Sequence, residues 1–200
     1  MNNLVLKHLI IGRSIETPLH LKIDYVFEVG KLYYLSGSNG SGKTTLMRTI
    51  CGYLQPLTGE ISANNLSLIA AYYGHDNALK HKMSVAEYLK FCCKIFENTF
   101  EFEFLITLFK LENLLSIPIS YLSCGQKRRV SLVGFLICNR DIYCFDEASS
   151  GLDADFKTIF YNYLIDLATK KQKIIIFSDH VNPESSYQEH IDIHNFKHKI

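Results

Sequence analysis

The sequence predicts an α/β fold in which a parallel sheet is covered by helices on both faces and carries an inserted helical subdomain. Two short apolar segments, residues 142–145 and 173–178, lie among stretches of helical periodicity, as the strands of a buried parallel sheet do. A glycine-rich loop at residues 37–44 follows a buried strand at residues 31–36. A stretch of helical character, roughly residues 83–140, separates the two β-rich parts of the chain.

Length and composition are those of a single domain. A chain of 200 residues, 48% of them hydrophobic and 20% charged, can bury a core and is not disordered. We predict one domain over residues 1–200. Its core is expected to comprise residues 1–82 and 141–200, and its helical subdomain residues 83–140.

Charge and hydropathy exclude several functions. The formal net charge of +1 predicts no nucleic-acid partner and no basic patch for an anionic membrane. The apolar runs, such as residues 174–177, are far shorter than the roughly 18 residues that span a bilayer. The first residues lack the pattern of a signal peptide, so membrane association is expected to require a partner. The six cysteines include no Cys-x-x-Cys pair and are expected to be reduced thiols.

Strand patterns dominate the N-terminal third. Residues 4–11 and 19–29 are apolar and partly alternating, as in strands. A short helix from residue 43 to residue 51 is expected to stop at Gly52, which suits a helix C-terminus. A turn at residues 56–61 is expected to lead into another strand.

Helical patterns dominate the middle of the chain. Ser84 and Glu87 have the spacing of a capping box, and apolar residues then recur on one helix face. Further helices are predicted near residues 104–111 and 130–137.

The sequence GSNGSGKT at residues 37–44 matches the P-loop pattern and stands where that loop must stand, between a strand and a helix. Glycines let backbone N–H groups turn toward phosphate oxygens, and the helix start adds partial positive charge. Lys43 is expected to reach the β- and γ-phosphates, and the Thr44 hydroxyl to ligate Mg²⁺. A plain glycine turn is the alternative. The predicted nucleotide-binding residues of the loop are Gly37, Ser38, Asn39, Gly40, Ser41, Gly42, Lys43, Thr44 and Thr45.

Two acids end the apolar strand IYCFDE at residues 142–147. An acidic strand beside a P-loop is the usual source of a carboxylate that holds Mg²⁺, so Asp146 is expected to hold the metal through its water shell. Glu147 is expected to orient or deprotonate the attacking water. A solvated pair of acids at a strand end is the alternative.

The sequence YLSCGQKRR at residues 121–129 distinguishes among the many proteins that contain P-loops. It resembles the LSGGQ signature of ATP-binding-cassette (ABC) ATPases, with Cys124 in place of the first glycine. The resemblance implies a P-loop ABC cassette that hydrolyses ATP as a homodimer, each ATP lying between one P-loop and the partner's signature. It also implies that Ser123, Gly125 and Gln126 bind ATP there, since a helix start suits an anion.

Two further segments match the family in the expected order. SSGLD at residues 149–153 resembles the D-loop, which implies that Asp153 lies near the partner's ATP site. IIIFSDH at residues 174–180 places His180 at the family's switch histidine. The resemblance implies that His180 bonds the γ-phosphate and helps to position the water and Glu147. A lone histidine is more commonly structural, but its spacing after the acidic strand favours this role.

His75 lies in the turn YYGHDN at residues 72–77, where cassettes usually carry the glutamine of the Q-loop. The resemblance implies that His75 reaches Mg²⁺ or the attacking water and couples the site to a membrane partner. A structural turn and an independent metal site are the alternatives. His190, His194 and His198 recur at every fourth residue, but their neighbours alternate as in a strand, so no metal site is predicted there.

Three segments together resemble the ATP-binding subunits of the haem exporters that act in cytochrome c maturation. They cover residues 36–48, 72–91 and 117–136 and include the Gly-His dipeptide of the Q-loop position. The sequence departs from common cassettes at Ala148, where proline is usual. It also departs near Arg13, where an aromatic residue usually stacks on adenine and a guanidinium plane is the expected substitute.

The resemblance also implies the cofactors, the partners and the location. The cofactors are ATP and Mg²⁺, and the partners are integral membrane permease subunits of the same complex. The chain is expected to be peripheral on the cytoplasmic face of a bacterial inner membrane or the matrix face of a mitochondrial one. No direct haem ligation is expected, because no Cys-x-x-Cys-His occurs.

Three alternatives to the haem-exporter hypothesis are open at the sequence level. The chain could serve another ABC transporter, act as an ABC protein of DNA repair or translation, or be a cassette that no longer hydrolyses ATP. The single cassette disfavours the second, and the intact Lys43, Asp146, Glu147 and His180 disfavour the third.

Overall fold

A computed structural model describes residues 2–14, 17–65, 69–74, 79–98, 101–180 and 187–198. The chain forms two compact units. The first comprises Met1–Tyr73, Arg140–Ala148 and Tyr163–Ile200, and the second comprises Gly74–Asn139 and Ser149–Asn162. The second unit is thus larger than the helical subdomain predicted from the sequence, because it also contains residues 74–82 and the residues 149–162 that follow the acidic strand.

All eight described strands belong to the first unit. They are β1 (Asn3–Ser14), β2 (Thr17–Glu28), β3 (Leu32–Ser36), β4 (Thr58–Asn64), β5 (Ala70–Tyr73), β6 (Ile142–Asp146), β7 (Ile174–Ser178) and β8 (Glu189–Asp192).

The described α-helices are distributed over both units. They are α1 (Lys43–Ile50), α2 (Val85–Phe96), α3 (Phe102–Leu108), α4 (Cys124–Leu136) and α5 (Ala154–Thr169), the last of which begins in the second unit and ends in the first. Short 3-10 helices cover Glu112–Leu114, Ile119–Tyr121 and Ile193–His198. No helix within the described ranges has the length and apolar character needed to cross a membrane.

A five-stranded sheet with the order β5-β6-β7-β3-β8 forms the centre of the first unit, and its described pairings are all parallel. Every residue of β6 and β7 is buried, so both faces of these strands are covered. This burial explains why their sequences are continuously apolar: a strand covered on both faces has no face toward solvent for polar residues. The predicted α/β class is confirmed.

A second, three-stranded antiparallel sheet has the order β2-β1-β4. Strand β1 buries Leu4 and Leu6 and then Leu9 and Ile11, a pattern that changes phase by one residue. His8 adopts a left-handed φ of 50° where the pairing register shifts, and its N–H donates to the Asp24 carboxylate at 2.8 Å. This bulge returns the apolar residues to the same face of the sheet.

Helix α1 joins the two sheets through one hydrophobic core. Its buried Leu46, Met47 and Ile50 belong to a cluster with residues of β1 and β2 and with residues of β3, β6 and β7. The helix ends where the sequence predicts, because Gly52 has a left-handed φ of 75° and its N–H donates to the Thr49 carbonyl. The P-loop that precedes α1 is therefore fixed to the core at both ends.

The second unit is built around α2 and α4. The Ser84 hydroxyl accepts the N–H of Glu87 and the Glu87 carboxylate accepts the N–H of Ser84, which confirms the predicted capping box. Gly134 of α4 lies against the Tyr88 ring, which a Cβ at this position would approach within 2.7 Å. Helix α3 ends at Leu108, before the predicted position, because Lys110 turns into the left-handed region.

Gly59 provides a test of the antiparallel sheet. It has a φ of +83°, and a Cβ there would meet backbone atoms of the β1 bulge, including the Lys7 carbonyl oxygen at 2.6 Å. We expect Gly59→Ala to lower the free energy of unfolding by about 3 kcal/mol, through left-handed strain and displacement of backbone. Chemical denaturation measures this change.

Gly52→Ala is the matched control. Gly52 has a similar φ of +75°, but within the described part of the chain no atom lies within 4 Å of a Cβ built there. Its cost should be the left-handed strain alone, about 1 kcal/mol. Equal losses for the two variants would show that the close approach at Gly59 contributes nothing.

Candidate active site

The predicted site residues of the first unit lie where the parallel strands end. Strands β3, β6 and β7 run in the same direction, so their last residues lie at the same edge of the sheet. These residues are Ser36, Asp146 and Ser178. This edge is where ligands bind in open α/β sheets. The predicted P-loop connects the end of β3 to the start of α1.

The P-loop ends in an uncapped helix start. Gly42 precedes α1 in the left-handed region, with a φ of 106°, and no side chain of the described residues caps the helix. Backbone N–H groups of the first turn are therefore available to an anion. The Ser41 hydroxyl is buried and has no hydrogen-bond partner among the described residues. Lys43 Nζ donates to the carbonyls of Gly37 and Ser38, at 2.7 and 3.1 Å.

A cavity of about 980 Å³ opens over this loop. Its polar side is formed by the loop and by two side chains from other strand ends, Glu147 and His180. Leu19 and Leu54 contribute apolar walls and Arg48 a cation. The remaining lining residues are Asn39, Gly40, Ser41, Gly42, Lys43, Thr44 and Thr45.

Three hydroxyl groups donate to the carboxylate of Asp146, which is only 7% exposed. Thr44 and Tyr72 donate to Oδ2, at 2.6 and 2.9 Å, and Ser178 donates to Oδ1 at 2.8 Å. Burial raises the pKa of Tyr72 to about 12, so its hydroxyl stays protonated and remains a donor. The Thr44 hydrogen points at Asp146, which leaves the oxygen lone pairs of Thr44 for another ligand.

Glu147 and His180 are in direct contact. Glu147 Oε2 lies 2.9 Å from His180 Nε2, and both side chains line the cavity. The backbone of Glu147 is left-handed, with a φ of 54°, and its N–H donates to the Ser178 carbonyl at 3.0 Å. This conformation is costly for a residue with a Cβ. Because of this backbone turn, the side chains of the adjacent residues Asp146 and Glu147 point in different directions.

Strand β7 lies between the acidic strand β6 and the strand β3 that precedes the P-loop. Thr44 nevertheless reaches Asp146, since it lies on α1 and not in the sheet. Strand order is a tertiary property that the separate apolar segments do not specify.

Four other predicted residues come together in the second unit. A small cavity of about 160 Å³ is lined by Ser123, Gly125, Gln126, Arg129, Leu152, Asp153 and Phe156. Ser123 and Gln126 form a capping box at the start of α4, and Asp153 Oδ1 accepts the N–H of Phe156 at the start of α5. The predicted ATP-binding role of these residues stays a prediction, because their observed hydrogen bonds are those of helix caps.

His75, the predicted Q-loop residue, lies outside the described residues, and so does the side chain of Arg13. The C-terminal histidines contact serines near the P-loop. His190 Nε2 lies 2.7 Å from the Ser36 hydroxyl, and His194 Nε2 lies 3.1 Å from the Ser38 hydroxyl. No group of three or more metal-ligating side chains occurs in the described part of the chain.

Sequence reasoning missed three polar residues of this site. Arg48 lines the cavity, while Tyr72 and Ser178 bind Asp146. Arg48 follows Thr44 by four residues and so shares its helix face, which is a recognisable signal. Ser178 and Tyr72 gave no such signal, because their position depends on the strands beside β6.

The chain belongs to the ABC transporter family, since the model of that family matches residues 21–150, more than half of its length. Among solved structures, an ATP-binding subunit of an ABC transporter has a TM-score of 0.83 at 25% identity, over 96% of this chain and 86% of that one.

Relatives of this chain include cytochrome c biogenesis ATP-binding export proteins, named CcmA. That of Rhizobium johnstonii is 29% identical over 185 residues, which cover 86% of each chain. That of Rickettsia bellii is 33% identical over 164 residues, which cover 79% of this chain and 83% of that protein.

The residues of the first unit fit ATP. The start of α1, the Lys43 ammonium group and the Ser41 hydroxyl all offer donors to an anion. The donor set around Thr44 and Asp146 also fits a hard cation such as Mg²⁺, which prefers oxygen ligands and retains several waters.

We expect Lys43→Ala to weaken ATP binding by about 10- to 150-fold, because a charged hydrogen bond to phosphate contributes about 1.5–3 kcal/mol. Titration with a fluorescent ATP analogue measures this change. Lys170→Ala is the control, since Lys170 is an exposed lysine that pairs with Asp166 on α5. Retained tight ATP affinity in the Lys43 variant would contradict the role of this side chain.

Proposed function

We propose that this chain is the ATP-hydrolysing subunit of a haem-exporter complex that acts in c-type cytochrome maturation. The proposed reaction is the Mg²⁺-dependent hydrolysis of ATP. The observation that supports it best is the cavity in which the P-loop meets the Glu147–His180 pair. The CcmA relatives, which match over most of both chains, support the haem-export assignment.

ATP is held through its phosphates. The N–H groups at the start of α1 bind the phosphate oxygens, and Lys43 exchanges the carbonyls of Gly37 and Ser38 for the β- and γ-phosphates. Leu19 and Leu54 provide apolar contact for the remaining part of the nucleotide. Arg48 adds positive charge to the same cavity.

Thr44 and Asp146 would hold the metal. The Thr44 hydroxyl would ligate the cation through an oxygen lone pair while its O–H group continues to donate to Asp146. A carboxylate has about four acceptor positions, and Thr44, Tyr72 and Ser178 occupy three of those on Asp146. The fourth is suited to a metal-bound water. When bound, Mg²⁺ neutralises charge that develops on the phosphate oxygens.

Glu147 acts as the general base. Its carboxylate accepts a proton from the water that attacks the γ-phosphate, and the bond to His180 Nε2 fixes its position at the cavity wall. Donation from His180 to the γ-phosphate uses its other ring nitrogen, Nδ1, and requires both ring nitrogens to carry a proton. The left-handed backbone at Glu147 serves this geometry, because it directs this carboxylate to the cavity while Asp146 stays with the hydroxyl groups.

ATP closes a homodimer of cassettes. Ser123, Gly125, Gln126 and Asp153 form one surface of the second unit, and this surface faces the ATP of the partner cassette. The start of α4 presents backbone N–H groups there. Hydrolysis reopens the dimer, and membrane permease subunits of the complex receive the motion. The chain is thereby held peripherally, on the cytoplasmic face of a bacterial inner membrane or the matrix face of a mitochondrial inner membrane.

We expect Glu147→Gln to bind ATP normally but to release phosphate at least about 100-fold more slowly, because a general base contributes at least this factor. It should accumulate as an ATP-bound dimer. Phosphate release and light scattering with ATP and Mg²⁺ measure the two effects.

Glu60→Gln is the matched control, because Glu60 is an exposed carboxylate on β4 that pairs with Lys7. It should hydrolyse ATP at the unmodified rate. A Glu147→Gln variant that also hydrolyses at this rate would refute the assignment of the general base.

Deletion of the gene in its host tests the haem-export assignment. We expect covalent c-type haem to disappear from membrane proteins stained for haem peroxidase activity. The unmodified gene and its Glu60→Gln variant should restore the haem, and Glu147→Gln should not, because haem export requires turnover. Normal c-type cytochromes after deletion would refute the haem-exporter assignment, while the measured ATPase activity would be unaffected.

A further inference from the structure

Three side chains of the first unit connect the cavity wall to the buried acid. Arg48 lines the cavity and its Nε donates to the Tyr72 hydroxyl oxygen at 3.3 Å. Its guanidinium carbon also lies 5.3 Å from the centre of the Tyr72 ring. The Tyr72 hydroxyl in turn donates to Asp146 Oδ2 at 2.9 Å. Tyr72 therefore accepts from the cavity side and donates to the acid.

The sheet explains why Tyr72 reaches Asp146. Strand β6 lies between β5 and β7, so residues of both neighbours flank its end. Tyr72 pairs in register with Cys144, two residues before Asp146, and residues two apart on a strand share a face. Ser178 pairs in register with Asp146 itself from the other side. The acid is thus held laterally by one hydroxyl from each neighbouring strand.

These lateral bonds restrict the carboxylate. Oδ2 accepts from both Thr44 and Tyr72, and Oδ1 accepts from Ser178. Rotation about the bond to the carboxyl group would break all three bonds. Loss of the Tyr72 bond would leave Oδ2 with the Thr44 hydroxyl, whose oxygen is also the proposed metal ligand.

We propose that Tyr72 is a positioning residue for the metal–nucleotide site: its hydroxyl, oriented by Arg48, fixes the carboxylate of Asp146 for a divalent cation bound with ATP. This inference rests on the proposed Mg²⁺ dependence. Tyr72 acts through Asp146 and touches neither ATP nor the reacting atoms. Partners of this kind commonly change metal affinity by 10- to 100-fold.

Tyr72 also packs against the hydrophobic core, so the ring and the hydroxyl must be separated by experiment. Tyr72→Phe keeps the ring and removes the hydrogen bond. Tyr53→Phe is the matched control: the Tyr53 ring centre lies 5.8 Å from that of Tyr72, but Tyr53 is 68% exposed. Its loss of a hydroxyl should change nothing at the acid.

The experiment measures metal binding directly. Mn²⁺ is titrated in the presence of ATP and followed by electron paramagnetic resonance, and ATP binding is measured separately in EDTA. We expect Tyr72→Phe to bind Mn²⁺ about tenfold more weakly while its affinity for ATP in EDTA stays unchanged. Tyr53→Phe should match the unmodified protein in both measurements. Unchanged Mn²⁺ affinity in Tyr72→Phe, or an equal loss of ATP affinity in EDTA, would overturn the inference.

A double-mutant cycle with Asp146→Asn tests whether Tyr72 acts through the acid. If it does, Tyr72→Phe should change Mn²⁺ affinity less than twofold in the Asp146→Asn background, because the carboxylate that Tyr72 positions is already absent there. A full tenfold effect there would overturn the inference. If the unmodified protein binds ATP without any effect of Mn²⁺, the proposed metal dependence fails as well. Normal metal dependence with an unaffected Tyr72→Phe refutes the positioning role alone.

Discussion

The carboxylate of Asp146 is bound by hydroxyl groups from α1 and from both strands that flank β6, and the rest of the site depends on this arrangement. Burying a carboxylate costs free energy unless it is hydrogen-bonded, and three hydroxyl donors meet this need. The same bonds fix the start of α1 against the end of the sheet. The P-loop, which lies between β3 and α1, is thereby fixed relative to the acidic residues.

The two adjacent acids have different surroundings because the backbone turns between them. Asp146 is the last residue of β6 and faces hydroxyl groups, whereas Glu147 adopts a left-handed conformation and contacts His180. Strain at such a position persists only where surrounding structure requires it. Here the Glu147 N–H bonds the end of β7, which holds the turn in place. One strand end therefore places its two carboxylates in different surroundings, as the proposed roles in metal binding and water activation require.

The residues suited to ATP hydrolysis are common to the ABC family, whereas the proposed cargo, haem, is specific to one group of transporters within it. The cavity, the P-loop and the acidic pair are suited to ATP hydrolysis whatever the complex transports. The haem-export assignment depends on similarity to CcmA proteins across most of the chain. The exposed Tyr121 and Phe104 of the second unit show that apolar surface is available there, but they do not specify a partner.

The sequence by itself determined the α/β class, the strand–loop–helix setting of the P-loop and the capping box at Ser84, since these depend on neighbouring residues. It also indicated that Glu147 and His180 act together. Only the tertiary structure decided the strand order, which places β7 between the acidic strand and the P-loop strand. Tyr72 and Ser178 became part of the site for the same reason. Their contacts with Asp146 join residues 74 and 32 positions apart, and no local pattern specifies which strands become neighbours.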